Sequence, residues 1–270
     1  MKKITRITTQ KRSKHRYNIF IDDGNEEKFG FSVDEDVLIK YNLRKGLELS
    51  EAIIEKLLKD DTLQKSYAQV IGYLGYRMRS KKEIVDYLVK KEVDSEHITK
   101  IIDKLTVRNL IDDQEFANSF VRSRIQTTTK GPGLVKQELQ AKGIAASIAD
   151  EAIKLYDYGV QYKKVAKIAE KRSKKSSRHS IKKQQQQLQA TLMRNGFTQD
   201  VIQEVITNTQ EESADSERDA LYYQGERLLR KHSKKLSGYD LKNKLKETLY
   251  RQGFRIDAIN EFLDKNINNM

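Results

Sequence analysis

The eighteen residues from Leu188, LQATLMRNGFTQDVIQEV, and the eighteen from Leu245, LKETLYRQGFRIDAINEF, agree without gaps at nine positions. A segment written more than once constrains the fold strongly, because each copy folds alike and buries its apolar face against its neighbours. The skeleton returns at VKQELQAKGIAASIADEA from Val135 and, more loosely, at IVDYLVKKEVDSEHITKI from Ile84. Each copy opens on an aliphatic residue (Ile84, Val135, Leu188, Leu245) and carries a leucine four on (Leu88, Leu139, Leu192, Leu249). Five residues further comes another apolar side chain: Val93, Ile144, Phe197 or Phe254. Glycine precedes it in three copies, as Gly143, Gly196 and Gly253, and Glu92 holds that place in the first.

An apolar pair at i, i+4 marks one helix face. A glycine just beyond supplies the left-handed residue that ends a helix, and the apolar residue after it packs back over the last turn. A second helix then follows, with apolar positions at Ile98 and Ile101, Ile148 and Ala152, Ile202 and Val205, Ile259 and Phe262. Glu92 predicts strain or a different turn in the first copy. Leucine-to-leucine separations of 51, 53 and 57 residues leave room for one more helix per copy. The segments are SYAQVIGYLGYRMR, EFANSFVRSRIQ, YKKVAKIAEKRSKK and ERDALYYQGERLLRKH. Ser80-Lys81-Lys82-Glu83 and Asp112-Asp113-Gln114-Glu115 read as capping boxes, and Pro132 suits a first helical turn.

The fold class predicted is mainly α, with tandem three-helix, helix-turn-helix-like repeats stacked into an elongated, curved array. The expected units are 64–111, 112–160, 161–212 and 213–270, preceded by a small β-rich cap at 1–63. In that cap, RYNIFID and EKFGFSV flank Asp23-Gly24-Asn25 as a hairpin. Ile4 and Ile7 suggest a strand before it, and two short helices are expected after it, at 34–41 and 50–59 with Ser50 as N-cap.

Lys+Arg 52 against Asp+Glu 39 gives a net charge of +13, and the pI is about 9.5. Such a balance favours a polyanionic partner, nucleic acid ahead of an anionic membrane surface. Cysteine is absent, which excludes disulfides and thiolate zinc sites and points to a reducing compartment. MKKITRITTQKRSKHR has charges but no apolar run behind them, and no segment approaches the roughly 20 apolar residues that cross a bilayer. A soluble cytoplasmic protein without membrane association is expected. Nothing demands a dimer, so a monomer is expected.

Catalytic chemistry finds little support. His15, His97, His179 and His232 are scattered, and Asp112, Asp113 and Glu115 are explained more simply as helix caps. No phosphate-binding glycine loop is present, because Lys130-Gly131-Pro132-Gly133 lacks the required pattern. No enzyme activity and no cofactor are expected. Helix-turn-helix units invite a second reading, a stand-alone DNA-binding or transcription regulator that places the second helix in the major groove. Those helices are acidic: Asp200, Glu204, Glu211 and Glu212 without a cation in copy three, and Asp257, Glu261 and Asp264 against Arg255 and Lys265 in copy four. Phosphate repels such a face.

The cations gather on the other helices and their turns. Arg77, Arg79, Lys81 and Lys82 crowd the first copy, and Arg122, Arg124, Lys130 and Lys142 lie in the second. Lys163 to Lys183 holds ten cations against Glu170 alone, among them Lys171, Arg172, Lys174, Lys175, Arg178, Lys182 and Lys183. Arg230 and Lys231 belong to the fourth, beside Arg227, Lys234 and Lys235. Recurrence in every copy predicts a basic track suited to a phosphate backbone or an acidic protein surface rather than to base edges. A plain helical scaffold, charged only for solubility, is the bland alternative.

Three motifs in order resemble the RecX family of recombinase regulators. They are Tyr73-Leu74-x-x-Arg77-x-Arg79-Ser80-x-x-Glu83, then Asn109-Leu110-Ile111-Asp112-Asp113-x-x-Phe116-Ala117, then Lys130-Gly131-Pro132-x-x-Val135-x-x-Glu138-Leu139-x-x-Lys142-Gly143-Ile144. The family pattern often has glycine where Asn109 stands, and many members stop after three repeats. The resemblance implies a non-catalytic modulator that binds the RecA recombinase and its filament on single-stranded DNA, with double-stranded DNA as a further contact. It implies inhibition of ATP hydrolysis and strand exchange and support for filament disassembly. Arg77, Arg79, Asp112, Asp113, Lys130, Glu138 and Lys142 carry over by position.

Overall fold

The computed structural model describes residues 1–11, 13–22, 24, 26–173, 178–208 and 214–267. Chain contacts divide it into two compact units, Met1–Phe116 with Lys142–Ile144, and Ala117–Ala141 with Ala145–Met270.

In the first unit, β1 (Lys2–Gln10), β2 (Ser13–Asp22) and β3 (Glu27–Asp34) form an antiparallel meander, and a short β4 (Glu48–Leu49) adds to β1, giving the order β3-β2-β1-β4. Alternation along the strands sends Ile4, Ile19, Ile21, Phe31 and Val33 to one buried face. Of the expected hairpin turn, Gly24 has φ 102, which favours glycine; Asp23 and Asn25 lie outside the described residues. Helix α1 (Glu35–Lys40) follows, its first turn capped by the Asp34 side chain.

The second short helix expected at 50–59 is instead the start of one 24-residue helix, α2 (Glu51–Leu74), that runs through the expected boundary at 63/64. Ser50 caps it as expected, accepting from the Ile53 amide. No Pro or Gly interrupts the chain before Gly72, so nothing breaks the hydrogen-bond ladder. The buried stripe of Leu57, Asp61, Tyr67 and Val70 then serves two cores. Leu57 closes the sheet, and Tyr67 and Val70 pack with Ile84 and Leu88 of α3 (Lys81–Lys90) and with Ile101 and Leu105 of α4 (Ser95–Val107). The same helix ends at Leu74, so Tyr76-Arg77-Met78-Arg79, expected as helical, forms a loop.

Asp61 joins the sheet to α2 through polar contacts. It is 2% exposed, accepts two bonds from the Arg16 guanidinium at 3.2 and 2.9 Å, and accepts the Asp34 amide at 2.8 Å. Lys65, one turn on, adds a 3.0 Å ion pair. Burial raises the cost of charge on Asp61, but the bonds from Arg16, Lys65 and the Asp34 amide outweigh it and hold the carboxyl below its usual range.

Each remaining copy contributes three helices: α5 (Asp113–Thr127), α6 (Pro132–Ala141) and α7 (Ala146–Ile153); α8 (Tyr158–Ser173), α9 (Ile181–Arg194) and α10 (Gln199–Asn208); α11 (Ala214–His232), α12 (Gly238–Arg251) and α13 (Ile256–Ile267). In the last, Leu221, Leu241, Leu245, Leu249, Phe254, Ile259 and Phe262 make one buried cluster. The repeat skeleton therefore supplies the core side chains. Gly143, Gly196 and Gly253 have φ 79, 84 and 92, and Glu92 adopts the same left-handed conformation at φ 58. The Val93 amide bonds back to Leu88 O at 3.1 Å, as Phe197 does to Leu192 at 3.2 Å and Phe254 to Leu249 at 3.3 Å. The first copy thus builds the same helix-ending turn without glycine, accepting a local cost of about 1 kcal/mol. Asn109 does likewise at φ 53.

One contact recurs between successive copies. The N-cap of a copy's middle helix meets the carbonyl that precedes the left-handed glycine of the next copy. Ser80 Oγ donates to Lys142 O at 2.8 Å, the Gly131 amide to Asn195 O at 2.7 Å, and Ser180 Oγ to Gln252 O. Gly131 is required in the middle case, because a Cβ there would lie 2.6 Å from the Gly196 backbone.

Candidate functional site

In the first unit, the loop between α2 and α3 holds two of the sequence-predicted cations, Arg77 and Arg79, and the first turn of α3 holds two more, Lys81 and Lys82. Ser80 closes the loop with a capping box: its Oγ accepts the Glu83 amide, and the Glu83 carboxylate accepts the Ser80 amide. That carboxylate also takes a two-pronged bond from Arg77, at 3.1 and 3.0 Å, and an ion pair from Lys142 at 2.7 Å. Burial would raise the Glu83 pKa, but the bonds from Arg77 and Lys142 prevail and bring it down to about 2. Arg77 and Lys142 are thereby committed to internal pairing. Lys82 lays its stem where a Cβ on Gly143 would sit, 2.5 Å away. The Lys81 amide donates to Asp113 at 2.9 Å.

Arg79 is arranged differently. Its guanidinium carbon sits 3.9 Å over the Tyr73 ring, and Tyr73 stacks on Tyr87 with centroids 4.3 Å apart and planes 8° from parallel. Lys91 approaches the Tyr87 ring at 5.9 Å. Tyr73 rises from α2 and Tyr87 from α3, so the two helices position the stack. Arg79 Nε is buried without a hydrogen-bond partner, and among the described residues no carboxylate pairs with Arg79. Beside it in the loop, Tyr76 is 86% exposed. The sequence marks the arginines and carries Tyr73 in the first RecX-like motif, but Tyr76 and Tyr87 were not singled out, although YLGYRMR interleaves the two residue types.

In the second unit, Arg124 and Lys130 both bind Glu138, the former at 2.7 Å. Lys164 donates to the carbonyls of Arg124 and Ile125 at 3.1 and 2.6 Å, ending α5, and burial lowers its pKa. Tyr156 OH donates to Lys130 O at 2.7 Å, and burial pushes its pKa up to about 12. Arg122 is exposed. Arg172 donates to Thr191 at 3.2 Å; Arg178 donates to the Tyr223 hydroxyl at 2.9 Å and lies 4.5 Å from that ring centroid. Arg230 pairs with Glu226 one helical turn away, at 3.1 Å. Lys171, Lys182, Lys183 and Lys231 carry no ion pair among the described residues. Lys174 and Lys175 lie outside the described residues.

The acidic second helices are partly engaged too. Glu204 of α10 accepts from Tyr158, and Glu261 and Asp264 of α13 pair with Lys265 and Lys242 at 2.6 and 2.8 Å. Glu211 and Glu212 lie outside the described residues. Among the described residues no group of three or more His, Cys, Asp or Glu could hold a metal, and no helix is long and apolar enough to cross a membrane.

The model of the regulatory protein RecX N-terminal domain matches residues 2–50, and those of the first and second RecX three-helix domains match 67–105 and 112–153. A regulatory protein RecX of Oceanobacillus iheyensis is 48% identical over 270 residues, covering 99% of both chains. The chain belongs to the RecX family. A second relative, from Bacillus cytotoxicus, is 41% identical over 261 residues, covering 96% of each chain. The crystal structure of a regulatory protein RecX superposes with a TM-score of 0.68 at 36% identity, covering 76% of this chain and 98% of the other. RecX from Lactobacillus salivarius matches at TM-score 0.53 and 34% identity, covering 55% and 97%. The third RecX three-helix domain matches twice, at 160–206 and 215–263. The last two copies of this RecX-family chain are therefore of one type, which accounts for the identity between the segments from Leu188 and Leu245.

Proposed function

We propose that this chain is a non-catalytic cytoplasmic regulator that binds RecA and the RecA filament on single-stranded DNA as a monomer. It inhibits ATP hydrolysis and strand exchange and favours filament disassembly. The observation that carries this reading is RecX-family membership along the whole chain, 99% of it at 48% identity to a RecX regulatory protein. The side chains supply a mechanism. Lys171, Lys182, Lys183 and Lys231 have no internal ion pair among the described residues and are available to phosphate or to an acidic protein face. The acidic α10 and α13 are poor elements for a major groove, which argues for backbone contact rather than sequence reading. The test is RecA ATP hydrolysis on single-stranded DNA, titrated with this protein at two salt concentrations. Inhibition at substoichiometric protein, weakened by salt, is expected. Unchanged ATPase together with tight binding to a particular duplex would overturn the reading in favour of a stand-alone DNA regulator.

A further inference from the structure

Resting on the DNA-contacting regulator proposed above, we propose that the loop between α2 and α3 is a site for an unpaired nucleotide of single-stranded DNA, with Tyr76 stacking on the base and Arg79 bonding the adjoining phosphate. Four observations converge on it. Tyr76 is 86% exposed, a large planar side chain that no internal packing explains. Three residues on, Arg79 has its guanidinium held 3.9 Å over Tyr73, and Tyr73 is braced in turn by its stack on Tyr87. This fixes the arginine without neutralising it, whereas Arg77 and Lys142 are occupied by Glu83. Among the described residues Arg79 has no ion pair, and its Nε is a buried donor without an acceptor, a group that calls for an explanation.

The chemistry suits a nucleotide taken out of a stack. Every base has a π-face for Tyr76, so recognition is tolerant of sequence. A guanidinium already ordered on an aromatic ring loses little freedom when it engages a phosphate oxygen. Glu83 carries two cations, so the charge nearest the loop is positive overall, and Lys81 has no ion pair among the described residues. A duplex offers Arg79 the same phosphate but withholds the base face from Tyr76. Tyr73 and Tyr87 act as positioning residues.

The test is fluorescence anisotropy of a labelled oligothymidine with the full chain at two or more salt concentrations, alongside a duplex. Tyr76→Ala should weaken oligothymidine binding about tenfold, the worth of one stacked base, with the salt slope unchanged. Tyr76→Phe should bind like wild type, and duplex binding should be insensitive to both. Arg79→Gln should weaken binding and reduce the slope of log K against log salt by about 0.7, the loss of one single-strand phosphate contact. Circular dichroism should show unchanged helicity for the Tyr76 variants, whose side chain is not packed. Wild type that binds no oligothymidine, or variants that all bind equally, would overturn the assignment. So would Tyr76→Ala that binds DNA normally but no longer slows RecA ATP hydrolysis, since the loop would then face protein. If the predicted DNA pattern appears while wild type leaves RecA ATPase untouched, the site stands and the regulatory reading falls.

Discussion

Ser80 Oγ donates at 2.8 Å to the carbonyl of Lys142, a residue 62 positions later in the chain. The same hydroxyl oxygen accepts the Glu83 amide at 3.2 Å, so one small polar atom both starts α3 and fastens the turn that follows α6. Ser180 repeats the arrangement at the start of α9, accepting the Lys183 amide and donating to Gln252 O. Ser80 and Ser180 are both fully buried, so truncation leaves a carbonyl without its donor and a helix without its cap. Ser80→Ala and Ser180→Ala should each cost about 2 kcal/mol, read from urea denaturation midpoints. Losses near zero for both would show that the copies are not fastened through these hydroxyls.

The left-handed turns should respond to substitution according to what surrounds them, not to φ alone. A Cβ on Gly143 would lie 2.5 Å from Lys82, and one on Gly196 2.5 Å from the Leu134 amide nitrogen. Glu92 already carries a side chain at φ 58 and is exposed. Gly196→Ala, opposed by backbone, should destabilise by more than about 2 kcal/mol. Glu92→Gly should be neutral or stabilise by up to about 1 kcal/mol. Thermal unfolding of the two variants separates them, and a large loss for Glu92→Gly would mean that its side chain has a structural partner.

Much of this arrangement was legible in the spacing. The i, i+4 pair and the apolar residue beyond the turn, as in Leu245, Leu249 and Phe254, named core residues because periodicity reports burial directly. The Glu92 turn was foreseen as an anomaly; its geometry proved to match the glycine turns, since packing of Val93 overrides the local preference. The helix expected to end at Lys59 continues to Leu74, and nothing in the Asp60-Asp61 pair itself reports burial. Asp61 is buried on Arg16, 45 positions earlier, and no local pattern reports such a partner. The cations were legible as a class but not as individuals. Whether an arginine is committed, like Arg124 on Glu138, or stacked, like Arg79 on Tyr73, depends on side chains brought near by folding.

Stability should fall in acid through the paired carboxylates. Glu83 has its pKa brought down to about 2 from an ordinary value of 4.5, so the unfolded chain binds its proton first as pH drops. Its contribution is complete above the unfolded value and is lost progressively as pH falls from about 4.5 towards 2. Asp61 and Glu138 are lowered as well and act in the same direction. Urea midpoints measured across this window should drop for wild type. In Glu83→Gln the drop should be shallower, with a lower starting stability at neutral pH because Arg77 and Lys142 lose their shared partner. An identical pH profile in that variant would remove Glu83 from the account.

Sorting the cations by their partners separates fold from binding. Arg124 lies 2.7 Å from Glu138, which also holds Lys130, so Arg124→Gln should lower stability while leaving the salt slope of DNA binding nearly unchanged. Lys171, Lys182 and Lys183 carry no ion pair among the described residues, and the first two are exposed. Converting all three to Gln should leave the unfolding midpoint within about 0.5 kcal/mol of wild type, as expected for surface positions. It should also weaken single-stranded DNA binding, with the slope of log K against log salt falling by about 0.7 for each phosphate contact removed. Inhibition of RecA ATP hydrolysis should weaken in parallel if that contact seats the protein on the filament. A triple variant that binds DNA with an unchanged slope would assign these lysines to solvation alone and shift the phosphate contacts to the loop around Arg79.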